Sequence, residues 1–235
     1  MKAIVLMPTY NEAETLEKTV SDLFEINQNI DLLIIDDNSP DGTGAIADRL
    51  AVANPRISVL HRHKKRGLGD AYISGFYQCL EKPYTHLVEM DADGSHRSED
   101  LPKLLRSALE SELVIGSRWV SGGEVANWSK LRQAISRNGN RYASWALKSQ
   151  VQDMTSGFRI YSADLLRRLP LSQMQAHGYA FQVEMTMRSE LVGAKIVEVP
   201  IRFVEREGGS SKMSFWIVVE AFLLCTLWGL FRPRP

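Results

Sequence analysis

The sequence predicts an α/β fold built around a mostly parallel sheet. Through the first half of the chain, short apolar runs typical of buried strands alternate with segments whose apolar residues recur at helical spacing. Several of these runs end in charged residues, as Leu87-Val88 does before Asp91-Ala92-Asp93. Because right-handed crossovers place the carboxyl ends of parallel strands on one edge, these polar tips are expected to converge there.

The first half supplies the regular part of this pattern. The run Lys2 to Met7 is a β-type segment that Pro8 ends, and Leu16 opens a segment of helical spacing. The further strands are predicted at 32–35, 57–60, 86–90 and 113–115, and the further helices at 43–53, 67–80 and around 101–109. The second half is less regular, with helices near 130–148 and 181–191, an irregular piece around 153–161 and a strand over 195–204.

Length and composition are those of one globular domain, or of one domain with an appendage. The chain has 235 residues, of which 44% are hydrophobic and 24% charged. Lys+Arg and Asp+Glu both total 28, and this zero net charge argues against a general nucleic-acid binder. Cys79 and Cys225 lack metal-ligand spacing and fit a reducing compartment. No signal peptide is expected, because Pro8 ends the first apolar run early.

The apolar stretch from Phe215 to Phe231 is predicted to form a second unit, 214–235, after a main domain at 1–213. Its length of about 17 residues reaches only the lower limit for a membrane span, and Glu220 makes spanning less favourable. An amphipathic helix at a membrane surface is therefore expected. A core helix that docks on the domain is the alternative.

Asp91 and Asp93 are the leading candidates for a metal site. Carboxylates at a strand end can hold Mg²⁺ or Mn²⁺ by oxygen and leave ligand positions for a diphosphate. Many loops contain Asp-x-Asp, so the position after a predicted strand gives the pattern its weight.

Two further strand ends carry candidate nucleotide contacts. Tyr10 could lie against a base and Glu12 near a ribose, although a turn with Asn11 near a helix N-cap is the alternative. Asp36-Asp37 could accept hydrogen bonds from a base or a ribose, whereas Asp41-Gly42-Thr43 is typical of a turn and helix cap.

Basic residues follow other predicted strands. Arg118 after the fifth strand has the fork geometry that binds phosphate oxygens, and Arg132 on the next helix could also be a plain exposed charge. A Gly/Ser loop between Arg206 and Lys212 could fold over a diphosphate, or could be a solvated loop. Gly67-x-Gly69 lacks the third glycine of a dinucleotide fingerprint.

Taken together, these motifs resemble glycosyltransferase family 2 enzymes of the GT-A fold, and within them the dolichyl-phosphate and polyprenyl-phosphate mannose synthases. The matching segments occur in order over nearly the whole chain: PTYNE (8–12), DDNSPDGT (36–43), GLGDA (67–71), EMDADGSH (89–96), GSR (116–118), SRNGN (136–140), DMTSGFR (153–159), GYAFQVEM (178–185) and EVPIRFVEREGGSSKMS (198–214). The segment from Gly122-Gly123 to Asn127-Trp128 is similar to that of the actinobacterial members.

The resemblance implies an inverting transfer of mannose from GDP-mannose to a polyprenyl or dolichyl monophosphate, with Mg²⁺ or Mn²⁺ as cofactor. It implies that 1–213 is the catalytic domain. The donor would contact Pro8, Tyr10, Glu12, Ile35, Asp37, Asp91, Ala92, Asp93, Arg118, Arg206 and Lys212. Asp91, Asp93 and Arg118 would be catalytic, the two aspartates would ligate the metal, and Arg118 and Arg132 would meet the acceptor phosphate. Some relatives place a Gln ligand where this chain has Ser95.

The resemblance also implies a peripheral location on the cytoplasmic face of a membrane, with the membrane surface and a separate membrane anchor protein as candidate partners. The products would feed lipoglycan biosynthesis or protein mannosylation. Two rival interpretations remain at this point. One keeps the fold but uses UDP-glucose as donor, and the other is a non-catalytic subunit that retains the fold.

Overall fold

The predicted alternation of strands and helices is confirmed by the computed structural model, which describes residues 1–27, 29–176, 178, 180–205 and 215–231, with the backbone alone for 215–220. The strands are β1 (Ala3–Thr9), β2 (Asp31–Asp36), β3 (Ile57–His61), β4 (His86–Glu89), β5 (Leu113–Ser117), β6 (Glu124–Ala126), β7 (Arg159–Ser162), β8 (Ile196–Pro200) and β9 (Arg202–Val204). The α-helices are α1 (Leu16–Ile26), α2 (Thr43–Ala53), α3 (Leu68–Leu80), α4 (Leu101–Ser107), α5 (Lys130–Leu147), α6 (Ala163–Arg168), α7 (Ala180–Leu191) and α8 (Phe215–Leu230).

Seven strands form one sheet in the order β3-β2-β1-β4-β7-β5-β8. β7 runs antiparallel to both of its neighbours, and the other pairs in this sheet are parallel. The carboxyl ends of the remaining strands therefore meet on one edge, as expected for ligand-binding α/β sheets. β7 begins at this same edge with Arg159. The segment before it, predicted to be irregular, is thereby placed beside the other strand ends.

The single strand predicted over 195–204 is wrong, because the chain changes sheets at Ile201. β8 pairs with β5 in the main sheet, whereas β9 pairs with β6 in a separate two-stranded sheet. Pro200 has no backbone N–H and so cannot extend the ladder as a donor. The Ile201 N–H instead donates to the carbonyl of Ser117 at 3.0 Å. This break brings Phe203 of β9 into a bridge with His96.

Each face of the main sheet is covered by its own apolar cluster, because successive strand residues point to opposite faces. Leu6 and Ile35 belong to the cluster under α3, α5, α7 and α8. Val5 and Ile34 belong to the cluster under α1, α2 and α4. Strands that are buried on both faces are typical of a parallel sheet covered by helices.

α8 packs on the domain through one face, as the docking alternative predicted. The Phe222 ring stacks on the Tyr142 ring of α5 with centroids 4.1 Å apart, and Cys225 and Trp228 lie in the apolar core. Its other face exposes apolar side chains, so the described part does not divide simply into an apolar and a polar half. Among the described helices, none combines the length and apolarity that a membrane span requires. An interfacial position for α8 stays a prediction.

Two helical glycines provide a matched test of this packing. A Cβ on Gly75 of α3 would lie 2.6 Å from side-chain atoms of Leu6 and Ile35, whereas one on Gly139 of α5 would meet nothing within 4 Å. We expect Gly75→Ala to lower the free energy of unfolding by about 1–3 kcal/mol through overpacking. Gly139→Ala should raise it by up to about 1 kcal/mol through helix propensity. Urea titration of both variants checks the pair, and equal effects would contradict the packing described.

Candidate active site

Asp91 lies at the carboxyl edge of the sheet, directly after β4. Its side chain is 34% exposed. Gly157, from the segment before β7, lies close to it, because a Cβ there would be in van der Waals contact with both carboxylate oxygens at 3.7 Å. Asp93 is more buried, and its Oδ1 accepts the Ser95 N–H at 3.0 Å. Gly94, with a positive φ of 75°, makes the tight turn between Asp93 and Ser95.

His96 supports Asp91 from below, a role that sequence reasoning missed. Its Nδ1 accepts the Asp91 backbone N–H at 3.0 Å. The neutral ring therefore carries its proton on Nε2, which lies 3.7 Å from Asp91 Oδ2. Phe158 stacks on the imidazole with centroids 5.0 Å apart, and Phe203 meets it edge-on at 5.6 Å. The ring is fixed between two aromatic walls, so the direction of its Nε2–H is fixed as well.

The donor set fits a hard divalent cation that is shared with a ligand. The described residues contain no cluster of three or more His, Cys, Asp or Glu side chains suited to a metal. Two carboxylates alone match the way Mg²⁺ is commonly bound, through one or two carboxylates plus substrate phosphates and water. The Ser95 position, where some relatives are expected to place a further ligand, is buried.

The ends of β1 and β2 form the predicted nucleotide side of the site. Pro8 and Ile35 are register partners in the sheet. Asp37 is buried, and its Oδ1 accepts from Arg62 Nη1 at 2.5 Å. Burial raises the pKa of Asp37 by more than the Arg62 charge lowers it. Asp37 Oδ2 takes no hydrogen bond from the described residues, so one carboxylate oxygen is left as an acceptor.

The loop after β1 is a turn rather than a helix cap. Asn11 has a φ of 58°, while α1 begins only at Leu16. The Tyr10 ring lies under the Lys65 ammonium group, 3.9 Å from the ring centroid. The basic loop after β3 therefore reaches the nucleotide side, where it supplies both Lys65 and Arg62. Asp36, in contrast, serves the fold, since its carboxylate accepts from Ser39 at 2.6 Å and from Thr9 at 3.3 Å.

Arg118 is held by a buried ion pair that the sequence did not reveal. Asp153 Oδ2 accepts from both the backbone N–H and the Nε of Arg118 at 2.8 Å, and Oδ1 accepts from Nη2 at 2.6 Å. Thr155 accepts a further bond from Nη2 at 2.8 Å. Burial lowers the pKa of Arg118, but the charge and hydrogen bonds of Asp153 together with the Asp91 charge raise it by more, so the guanidinium stays charged. Nη1 makes no hydrogen bond to the described residues.

Arg132 reaches the same region from the first turn of α5. Its Nη1 donates to Glu205, which directly follows β9, and its Cζ lies 4.0 Å from the centroid of the Trp128 ring. Arg118 also lies against Trp128, at 5.8 Å. The predictions for Arg206 and Lys212 fall outside the described residues.

A buried polar layer lies beneath Asp91 and Asp93. Burial raises the pKa of Glu89 to about 8, although Arg159 and a hydrogen bond from Gln182 at 2.8 Å lower it. Arg159 donates to the backbone carbonyls of Met154 and Ser156 at 2.8 and 2.6 Å. The conspicuous patterns at 153–159 and 178–185 thus shape the floor of the site.

The Arg118–Asp153 pair makes a strong stability prediction. Asp153→Ala leaves a buried guanidinium without its counter-charge, and we expect the free energy of unfolding to fall by about 3–5 kcal/mol. Asp164→Ala removes the partner of an exposed Arg167 pair, whose side chains are 50% and 89% exposed, and should cost less than about 1 kcal/mol. Denaturant titration measures both. A similar small cost for both variants would contradict a buried pair.

Comparison with known proteins identifies the family of this chain. The family model described as Glycosyl transferase family 2 matches residues 4–169. An undecaprenyl-phosphate mannosyltransferase of Micrococcus luteus is 50% identical over 230 residues, covering 98% of this chain and 95% of its own. A polyprenol monophosphomannose synthase of Mycolicibacterium smegmatis is 44% identical over 231 residues, covering 97% and 87%.

Solved structures share the fold at low sequence identity. The Pyrobaculum calidifontis mannosyltransferase PcManGT, solved with GDP-Man and Mn²⁺, has a TM-score of 0.65 at 15% identity, and the match covers all of this chain and 65% of that one. The glucosyl-3-phosphoglycerate synthase of Mycobacterium tuberculosis, solved with Mn²⁺, UDP-glucose and phosphoglyceric acid, has a TM-score of 0.68 at 18% identity, covering 99% and 80%. With the model match over most of its length and two closely similar relatives, this chain belongs to glycosyltransferase family 2.

Proposed function

We propose that this protein transfers mannose from GDP-mannose to a polyprenyl monophosphate and releases GDP. The observation that carries the proposal is the meeting, at one sheet edge, of a partly exposed Asp91 carboxylate, a buried acceptor at Asp37 and two arginines. Two relatives that are 50% and 44% identical over nearly the whole chain carry names of this reaction class. The fold neighbour PcManGT was solved with GDP-Man and Mn²⁺.

The donor would lie across the ends of β1, β2 and β4. Asp37 would accept a hydrogen bond from the base or ribose, with the loop of Tyr10 and Glu12 beside it. Asp91 and Asp93 would hold Mg²⁺ or Mn²⁺ on the diphosphate, and Ala92 would lie between them in the chain. The metal, when bound, supplies stabilisation of the negative charge that develops on the departing GDP. His96 fixes the Asp91 backbone by accepting its N–H, and its Nε2 lies 3.7 Å from the carboxylate.

The acceptor needs little activation by the protein. A phosphate monoester has a second pKa of about 6 and is largely dianionic at neutral pH. Its oxygen can attack the anomeric carbon while the bond to the GDP oxygen breaks, and this single displacement inverts that centre. The chain's own task is to hold two anionic substrates together, and Arg118 and Arg132 are the described cations suited to it.

An apolar face formed by α5 and α8 would bring the enzyme to its lipid substrate. Exposed apolar side chains of these two helices, with Phe231 just after α8, form this α5/α8 face: Leu131, Ile135, Trp145, Phe222, Leu223, Leu227, Leu230 and Phe231. α5 also carries Arg132 close to Leu131 and Ile135. The cationic residue proposed for the acceptor phosphate thus lies on the helix that would touch the membrane. This supports a peripheral location, which we place on the cytoplasmic face.

The transfer assay tests the function directly. Labelled GDP-mannose, polyprenyl monophosphate and Mn²⁺ or Mg²⁺ should yield labelled lipid with wild-type protein, and EDTA should stop the reaction. Asp91→Ala should lower the rate by at least about 100-fold, because a metal contributes several kcal/mol and each 1.36 kcal/mol is tenfold in rate. Its melting temperature should stay near that of wild type, since Asp91 is partly exposed.

The exposed Asp164→Ala variant is the control and should transfer normally. Near-normal transfer by a folded Asp91→Ala protein would refute the assignment. Labelling from UDP-glucose in place of GDP-mannose would retain the fold and the metal site but change the donor.

Membrane contact is tested by sedimentation with liposomes. Removing all of α8 would also strip Cys225 and Trp228 from the core, so substitutions on the exposed side are cleaner. We expect Leu223→Ser/Leu227→Ser/Leu230→Ser to weaken partitioning at least about 10-fold, since burying one Leu side chain is worth about 1.5 kcal/mol or more. Val52→Ser, at a residue that is 90% exposed on α2, is the control. Equal sedimentation of the triple variant and wild type would exclude the α5/α8 face as the contact.

A further inference from the structure

Trp128 lies near both arginines of the proposed acceptor site and has no role in the function described so far. The centroid of its ring is 4.0 Å from Cζ of Arg132 and 5.8 Å from Cζ of Arg118. Phe203 packs edge-on against the ring with centroids 5.5 Å apart. One indole therefore lies near a guanidinium that follows β5 and near another from α5, and the face of an indole attracts cations.

Packing accounts for the ring of Trp128 but not for its nitrogen. The Nε1–H is buried and has no hydrogen-bond partner in the described part of the chain. Nearly all buried donors in folded proteins are paired, because an unpaired one carries a desolvation penalty. A phenylalanine would give the same aromatic contacts without that penalty. The unpaired N–H thus indicates a hydrogen-bond acceptor that the described chain does not supply.

The two arginines leave room for an anion. Arg118 is bound through Nε and Nη2, and Arg132 through Nη1. Arg118 Nη1 and Arg132 Nη2 make no hydrogen bond to the described residues. Asp153 and Glu205 offset most of the positive charge of the two arginines. What the pair still offers an anion is therefore mainly its free N–H donors. Hydrogen bonds to a charged oxygen are stronger than those between neutral groups.

We propose that Trp128 is a specificity-determining residue of the acceptor site. It sets the separation of Arg118 and Arg132 and donates its indole N–H to an oxygen of the acceptor's phosphate monoester. This inference rests on the proposed function, since that function names a lipid monophosphate as acceptor. It adds a residue from the segment between β6 and α5, for which the proposed function gives no role.

Direct binding of farnesyl phosphate, measured by calorimetry in the presence of GDP and Mn²⁺, tests the proposal. Trp128→Phe keeps an aromatic ring and loses the N–H, so its Kd should rise about 10-fold, the lower value for a hydrogen bond to a charged group. Trp128→Leu also loses the aromatic face, so its Kd for farnesyl phosphate should rise further. In turnover, Trp128→Phe should raise the KM for farnesyl phosphate with kcat and the KM for GDP-mannose unchanged.

The control is Trp228→Phe, the same chemical change at an indole that already donates to Gln175 at 3.2 Å. It should lower the melting temperature slightly and leave the Kd unchanged. A Trp128→Phe protein that binds farnesyl phosphate as wild type does would overturn the proposal, as would a wild type that does not bind it. Binding by wild type with the predicted Trp128 effect, but without mannosyl transfer, would retain this inference and refute the proposed function.

Discussion

The ion pair between Arg118 and Asp153 joins the two halves of the site. Arg118 directly follows β5, and Asp153 begins the segment that leads into the antiparallel strand β7. Both charges are buried, so neither can be removed from the pair without a large desolvation penalty. Around this fixed point the chain places Gly157 opposite Asp91, Phe158 against His96 and Thr155 against Asn140 of α5.

Rigidity in this region comes from polar and aromatic contacts in combination. Asp91, the residue proposed to hold a metal, has its backbone N–H bound by an imidazole, and two phenyl rings hold that imidazole. One of those rings belongs to β9, and it also packs on Trp128. A preorganised site of this kind does not have to rearrange during the reaction, which is where electrostatic catalysis gains most of its advantage.

Local pattern was enough to predict the alternating elements and the placement of Asp91, Asp93 and Asp37 at strand ends, because a strand's carboxyl end follows from the strand itself. The ion pair of Arg118 joins residues 35 positions apart, and a single sequence carries no signal for it. The role of His96 was not predicted, because the sequence alone does not show that its ring would fold back onto the Asp91 backbone. The change of sheets at Ile201 depends on where Pro200 meets β5, which is a property of the assembled fold.

The contact between α5 and α8 includes a point of very close approach. A Cβ on Gly229 would lie 2.5 Å from the carbonyl oxygen of Ala146, so the two backbones nearly touch, and the pair should tilt and move as one body. With the proposed bilayer contact through these helices, the distance between the lipid surface and the sheet edge would be a fixed length of the molecule. The phosphate of a lipid acceptor would then have to reach the site across that fixed distance.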